Sequence, residues 1–137
     1  MTHEEHANQF MDSVLHLFAV RDEPLVKPRI EVLIERRPDR AAQYDWGTRT
    51  ITLFGDYPSH LEGIIVHELV HAWVHQCCEA HVIGTLKYFH GPTFQEKLAR
   101  VYHQLGWGVP TPEDRRCYDT PEEMSTGYPL IMDLWPK

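Results

Sequence analysis

Residues 67 to 71 read His67-Glu68-Leu69-Val70-His71, two histidines four positions apart with a glutamate beside the first. On an α-helix, side chains at that spacing are offset by about 40° and by ~6 Å along the axis, so both imidazoles can meet one tetrahedral cation. Neutral imidazoles hold Zn2+ while leaving a coordination position open, and the metal draws the pKa of bound water towards neutrality. A neighbouring carboxylate then takes the water proton, which makes Glu68 the candidate general base. This His-Glu-x-x-His pattern is the arrangement of a metalloprotease when it stands on a helix.

Two histidines do not complete a catalytic site, so a third ligand is expected further along the chain. The candidates are His75, Glu79, His81 and His90. His75 is rotated about 80° from His67 and stands ~12 Å further along the helix, too far to close the same tetrahedron. It remains able to hydrogen-bond around the site. The metzincin pattern asks for Gly and His where this chain has Val74 and Cys77, which excludes that family. His90 opens the segment His90-Gly91-Pro92-Thr93-Phe94, from which a side chain can return to the metal, and Gly91 permits a tight turn.

His67-Glu68-Leu69-Val70-His71-Ala72-Trp73 followed by His90-Gly91-Pro92-Thr93-Phe94 resembles the SprT-like (Spartan-type) zinc metallopeptidases, over a stretch from about Ile51 to Gly106. The resemblance implies a compact α+β, zincin-like metalloprotease domain that hydrolyses peptide bonds. It implies His67, His71 and His90 as zinc ligands and Glu68 as catalytic base, and protein substrates that include DNA-associated or DNA-crosslinked proteins. The chain departs from that pattern in two ways. Eighteen residues, Ala72 to Phe89, separate His71 from His90, which points to an inserted loop around Cys77 to Thr85. The zinc ribbon that often follows the family's protease domain is not encoded in this sequence.

The elements that must position these residues are legible as periodicities. Phe10, Val14, Leu15, Leu17 and Phe18 recur at helical intervals between Glu4 and Val20, predicting an amphipathic first helix. Ile30 to Glu35 is rich in β-branched residues and predicts a strand. Tyr44 to Phe54 carries the turn Asp45-Trp46-Gly47 followed by Thr50-Ile51-Thr52-Leu53-Phe54, predicting another strand and a small, mainly antiparallel sheet. An apolar run from Leu61 through Val74 predicts the helix that carries the chemistry, with Ser59 as N-cap and Glu62 as its capping-box partner. A third helix is expected from Pro92 or Thr93 to Leu105, ended by Gly106 and Gly108.

With 137 residues and 42% hydrophobic composition, the chain fits a single domain spanning residues 1–137, of which about 109–137 form a proline-rich tail. No run is apolar enough to span a bilayer, and the acidic start Met1-Thr2-His3-Glu4-Glu5 is unlike a secretory signal. Three cysteines, two of them the adjacent Cys77 and Cys78, encode neither a disulfide framework nor a thiolate metal site. The expectation is a cytoplasmic protein with no membrane contact.

The net charge of −7 argues against a general grip on nucleic acid, leaving DNA association local or indirect. The most basic stretch, Lys27 to Arg49, sets six basic against four acidic residues and reads as a solvated face. Tyr88, Tyr102, His103 and Tyr128 are candidate oxyanion donors. Trp73 and Phe94 are expected to pack the helices or border the cleft.

Ile131-Met132-Asp133-Leu134-Trp135 looks like the short peptides that dock on the bacterial sliding clamp, with Ile131 in place of the usual Gln. Two other readings compete. One is a repressor-cleaving type of metallopeptidase with an acidic third ligand, suggested by the further spacing from His71 to His75. The other is a non-catalytic, metal-stabilised adaptor recruiting a partner through its C-terminal tail.

Overall fold

A computed structural model describes residues 2–20, 23, 25–33, 35, 42–45, 47–55, 61–77, 92–108 and 110. Among these residues the chain forms helices α1 (His3–Val14), α2 (Leu61–Cys77) and α3 (Pro92–Leu105), a 3-10 helix (Leu15–Phe18), and strands β1 (Arg29–Leu33), β2 (Ala42–Asp45) and β3 (Thr50–Phe54). The architecture is α+β, with three helices and a three-stranded sheet.

The two outer helices follow their sequence periodicity closely. Ala7, Met11, Val14 and Phe18 line the buried side of α1 and the 3-10 helix, and Phe94, Leu98 and Val101 line that of α3. Thr2 caps α1: its Oγ1 accepts from Glu5 N at 3.1 Å and donates to a Glu5 carboxylate oxygen at 3.1 Å. The first helix is shorter than its periodicity suggests. Beyond Val14 it tightens into the 3-10 helix, and side chains from α3 and α2 meet carbonyls at and just past the end of that helix. Lys97 Nζ donates to Leu17 O at 2.8 Å, and Trp73 Nε1 donates to Ala19 O at 3.2 Å.

At the far end of α3, Trp107 N donates to Tyr102 O and Gly106 N donates to His103 O, with Gly106 at φ 71°. This is a Schellman termination, in which only a residue tolerating the left-handed region closes the helix without strain. It turns Trp107 back against Tyr102, with ring centroids 5.1 Å apart, and stacks it on Phe10 of α1 at 6.0 Å.

The sheet is mixed, with order β1-β3-β2, and this corrects the expectation of a mainly antiparallel one. β3 pairs in parallel with β1, Arg29 opposite Thr50, and antiparallel with β2, Asp45 opposite Thr50. The physical reason lies in burial. Every residue of β3 is buried, whereas β1 and β2 each expose residues, so β3 takes the centre and its sequence predecessors become edges.

The turn before β3 is set by Asp45, whose Oδ1 accepts from Gly47 N at 2.8 Å and Thr48 N at 3.2 Å. The Arg49 carbonyl then accepts from Arg29 N at 3.0 Å, opening the parallel ladder. α1 packs on β1, α2 on β2, and the two helices on each other, while α3 packs on α2. Helix α2 is thereby enclosed by α1, α3 and the sheet, and its apolar residues Ile65, Val66, Leu69, Val70 and Ala72 are all fully buried.

Candidate metal centre

The candidate site stands on α2, the helix that packs against both other helices and the sheet. His67, Glu68 and His71 each offer one ligand atom, and these atoms lie within 4.8 Å of one another, so the group can hold a metal ion. Among the described residues, no second group of this kind is found. His67 and Glu68 are 4% and 6% exposed, and His71 is half-buried, so the group has a closed floor and one side reaching solvent. Glu68 Oε2 is completely shielded from solvent. Carboxylates and imidazoles are seldom buried together in a helix core unless they share chemistry, since burying charge is costly.

The imidazole rings stand 5.0 Å apart with planes at 70°. Phe94, near the start of α3, contacts both: its ring centre is 4.8 Å from that of His67 and 4.6 Å from that of His71. Beside it, Gln95 is completely buried. Periodicity gave no signal for Gln95, because a glutamine followed by Glu96 and Lys97 reads as solvated surface.

Other residues singled out by sequence lie elsewhere. His75 faces β2, with its Nδ1 3.0 Å from the Tyr44 hydroxyl. Burial, then the Arg49 cation, hold His75 below the usual histidine pKa. Burial raises the Tyr44 phenol above its ordinary value, against the pull of Arg49 and a Gln76 hydrogen bond, while Asp45 adds to the rise. Both shifts favour the neutral forms, so the contact joins an uncharged phenol to an uncharged imidazole.

Gln76 completes this corner by bonding both backbone polar groups of one residue, accepting from Val26 N at 2.9 Å and donating to Val26 O at 3.2 Å. His75 is not part of the His67, Glu68 and His71 group, and sequence spacing gave no sign of its Tyr44 partner. Tyr102, a candidate oxyanion donor, is buried against Trp107, with its hydroxyl beside Gly63. His103 is exposed on the last turn of α3. Trp73 packs the helices together as expected, under the ammonium of Lys97 at 4.7 Å.

His90, together with Glu79, His81, Tyr88, Tyr128, Cys78, Ser59 and the segment Ile131 to Trp135, lies outside the described residues. So does the inserted loop expected after Cys77. No described helix is long and apolar enough to cross a membrane. Comparison with known proteins finds no matching family model, curated protein or solved structure.

Proposed function

We propose that this chain is a zinc-dependent metalloendopeptidase that uses His67, His71 and His90 as metal ligands and Glu68 as general base. The observation that carries the reading is the convergence of ligand atoms of His67, Glu68 and His71 within 4.8 Å, with His67 and Glu68 buried. Chance histidines on a core helix do not need a carboxylate buried between them. The donor set fits zinc, which takes imidazole nitrogen and keeps one position open in catalytic sites. His90 supplies the third imidazole in this proposal. It stands four positions before Phe94, a reach of at most ~14 Å of extended chain, and Phe94 touches both helix ligands.

When bound, zinc supplies Lewis acidity, lowering the pKa of water towards neutrality and polarising the scissile carbonyl. The chain's own residues do the rest. His67 and His71 hold the cation from one helix face, and their burial keeps their geometry fixed. The Glu68 carboxylate takes a proton from the attacking water and returns it to the amine nitrogen as the C–N bond breaks. Substrate reaches the group from the half-buried His71 side, because His67 and Glu68 are closed to solvent. By the resemblance to SprT-like enzymes, the substrates are proteins, including those bound or crosslinked to DNA. With a net charge of −7, DNA then acts through the substrate or a local contact.

The test compares wild type, Glu68→Gln and His90→Ala for zinc content and for cleavage of an unfolded protein, with and without single-stranded DNA. One zinc per chain in wild type and Glu68→Gln is expected, with turnover falling about 10²–10⁴-fold in Glu68→Gln and zinc lost in His90→Ala. Undiminished zinc in His90→Ala transfers the third position to another ligand. Zinc binding without cleavage under any condition makes the protein a metal-stabilised adaptor.

A further inference from the structure

We infer that Phe94 is a positioning residue that braces the His67 and His71 imidazoles as a preformed metal-binding pair, acting from a helix that carries neither ligand. The inference rests on the metal-centre reading above. Three ring centres form a nearly equilateral triangle, with His67 to His71 at 5.0 Å, His67 to Phe94 at 4.8 Å and His71 to Phe94 at 4.6 Å. The ring planes are inclined at 70°, 61° and 38°, the edge-to-face and tilted arrangements that aromatic rings favour. Neither imidazole can leave its rotamer without losing contact with the phenyl ring or the other imidazole.

A phenyl ring suits this place for two reasons. It has no donor atom, so it fills one side of the pair without competing as a ligand or binding water. At 1% exposure it also keeps that side dry, which strengthens electrostatic attraction between ligands and cation. Two side chains whose rotamers are already fixed lose less entropy when a metal binds than two that rotate freely.

The mount for Phe94 is itself anchored. Three residues later in α3, Lys97 donates to Leu17 O at 2.8 Å and lies over the rings of Trp73 and Phe18 at 4.7 and 5.5 Å. This ties the N-terminal half of α3 to α2 and to the 3-10 helix. A shift of α3 would therefore move Phe94 against both histidines together.

The experiment measures the zinc dissociation constant by chelator competition and the visible spectrum of the Co2+-loaded protein, with circular dichroism scoring the fold. The variants are Phe94→Leu and Phe94→Met, which keep an apolar filling without the ring, Phe94→Tyr, which keeps the ring, and Leu98→Val. Leu98 is equally buried one turn along α3 and serves as the control for stability alone. Phe94→Leu and Phe94→Met are expected to bind zinc about 10–100-fold more weakly and to show altered cobalt bands, with Phe94→Tyr retaining wild-type affinity. Leu98→Val is expected to melt earlier with its zinc affinity unchanged.

Phe94→Leu or Phe94→Met binding zinc as tightly as wild type overturns the inference, as does Leu98→Val weakening zinc to the same extent. Wild type that binds neither zinc nor cobalt overturns the metal centre itself, and the role of Phe94 with it.

Discussion

His75 titrates in surroundings that resist its charge, and the direction of the effect on stability follows from proton counting. Burial first and Arg49 second lower its pKa in the folded protein, while the unfolded chain restores the ordinary value of about 6.5. Between these values the unfolded state binds more protons, so stability rises with pH. The contribution is complete above about pH 6.5 and is lost as pH falls through the folded value. Urea midpoints compared at about pH 7.5 and about pH 5 should therefore drop further in wild type than in His75→Gln. Equal drops would remove His75 as a source of acid sensitivity. Tyr44 works in the opposite range: burial raises its pKa, so ionisation above about pH 10 also disfavours the folded state.

Individual residues were legible in sequence where their chemistry depends on local spacing. His67, Glu68 and His71 converge because a helix brings positions four apart together, and that geometry needs nothing from the rest of the chain. The roles of His75 and Phe94 depend on partners in other elements. Tyr44 is 31 positions from His75, and Phe94 reaches back to His67 and His71 from the next described helix. No pattern within either segment encodes those meetings.

At the scale of elements, Lys97 links three pieces with one side chain. It satisfies a carbonyl of the 3-10 helix and places its charge on Trp73 of α2. Replacing it with methionine keeps the aliphatic stem but removes the hydrogen bond and cation–π attraction. Lys97→Met should lower the unfolding free energy by about 1–2 kcal/mol, measured by urea titration. A loss no larger than that of Arg100→Met would refute the link, because among the described residues Arg100 makes an exposed helix pair with Glu96 and reaches no other element.

Helices α1 and α3 could be read from spacing because one face of each is buried and the other solvated. The 3-10 ending of the first helix could not, and the donors that meet Leu17 O and Ala19 O at this corner are distant in sequence. Sheet order was likewise hidden. Thr50 to Phe54 announced a strand, but its place between β1 and β2 is a matter of which strand is covered on both faces, and that is settled by packing.

For the whole molecule, a cation held between buried side chains couples binding to folding. If the unfolded chain binds zinc weakly, a free concentration a hundredfold above the dissociation constant adds about 2.7 kcal/mol of stability. Thermal unfolding should shift upwards with added zinc and downwards with a chelator, and the shift should vanish in His67→Ala. A melting temperature indifferent to zinc in wild type would count against a native-state metal centre. The α+β class was accessible from sequence because helical and alternating segments were distinct, whereas assembly into one core was not.

The mixed sheet also carries a consequence for the order in which the chain assembles. β2 and β3 meet through a tight hairpin, Asp45 opposite Thr50, whereas β1 must wait for a partner 21 positions away at the same residue, Arg29 opposite Thr50. Closing the longer loop costs more chain entropy, so the hairpin is the natural nucleus and β1 joins later. Helix α2 follows β3 in the chain and packs against the hairpin strand β2, so the hairpin offers the histidine-bearing helix a surface that does not depend on β1.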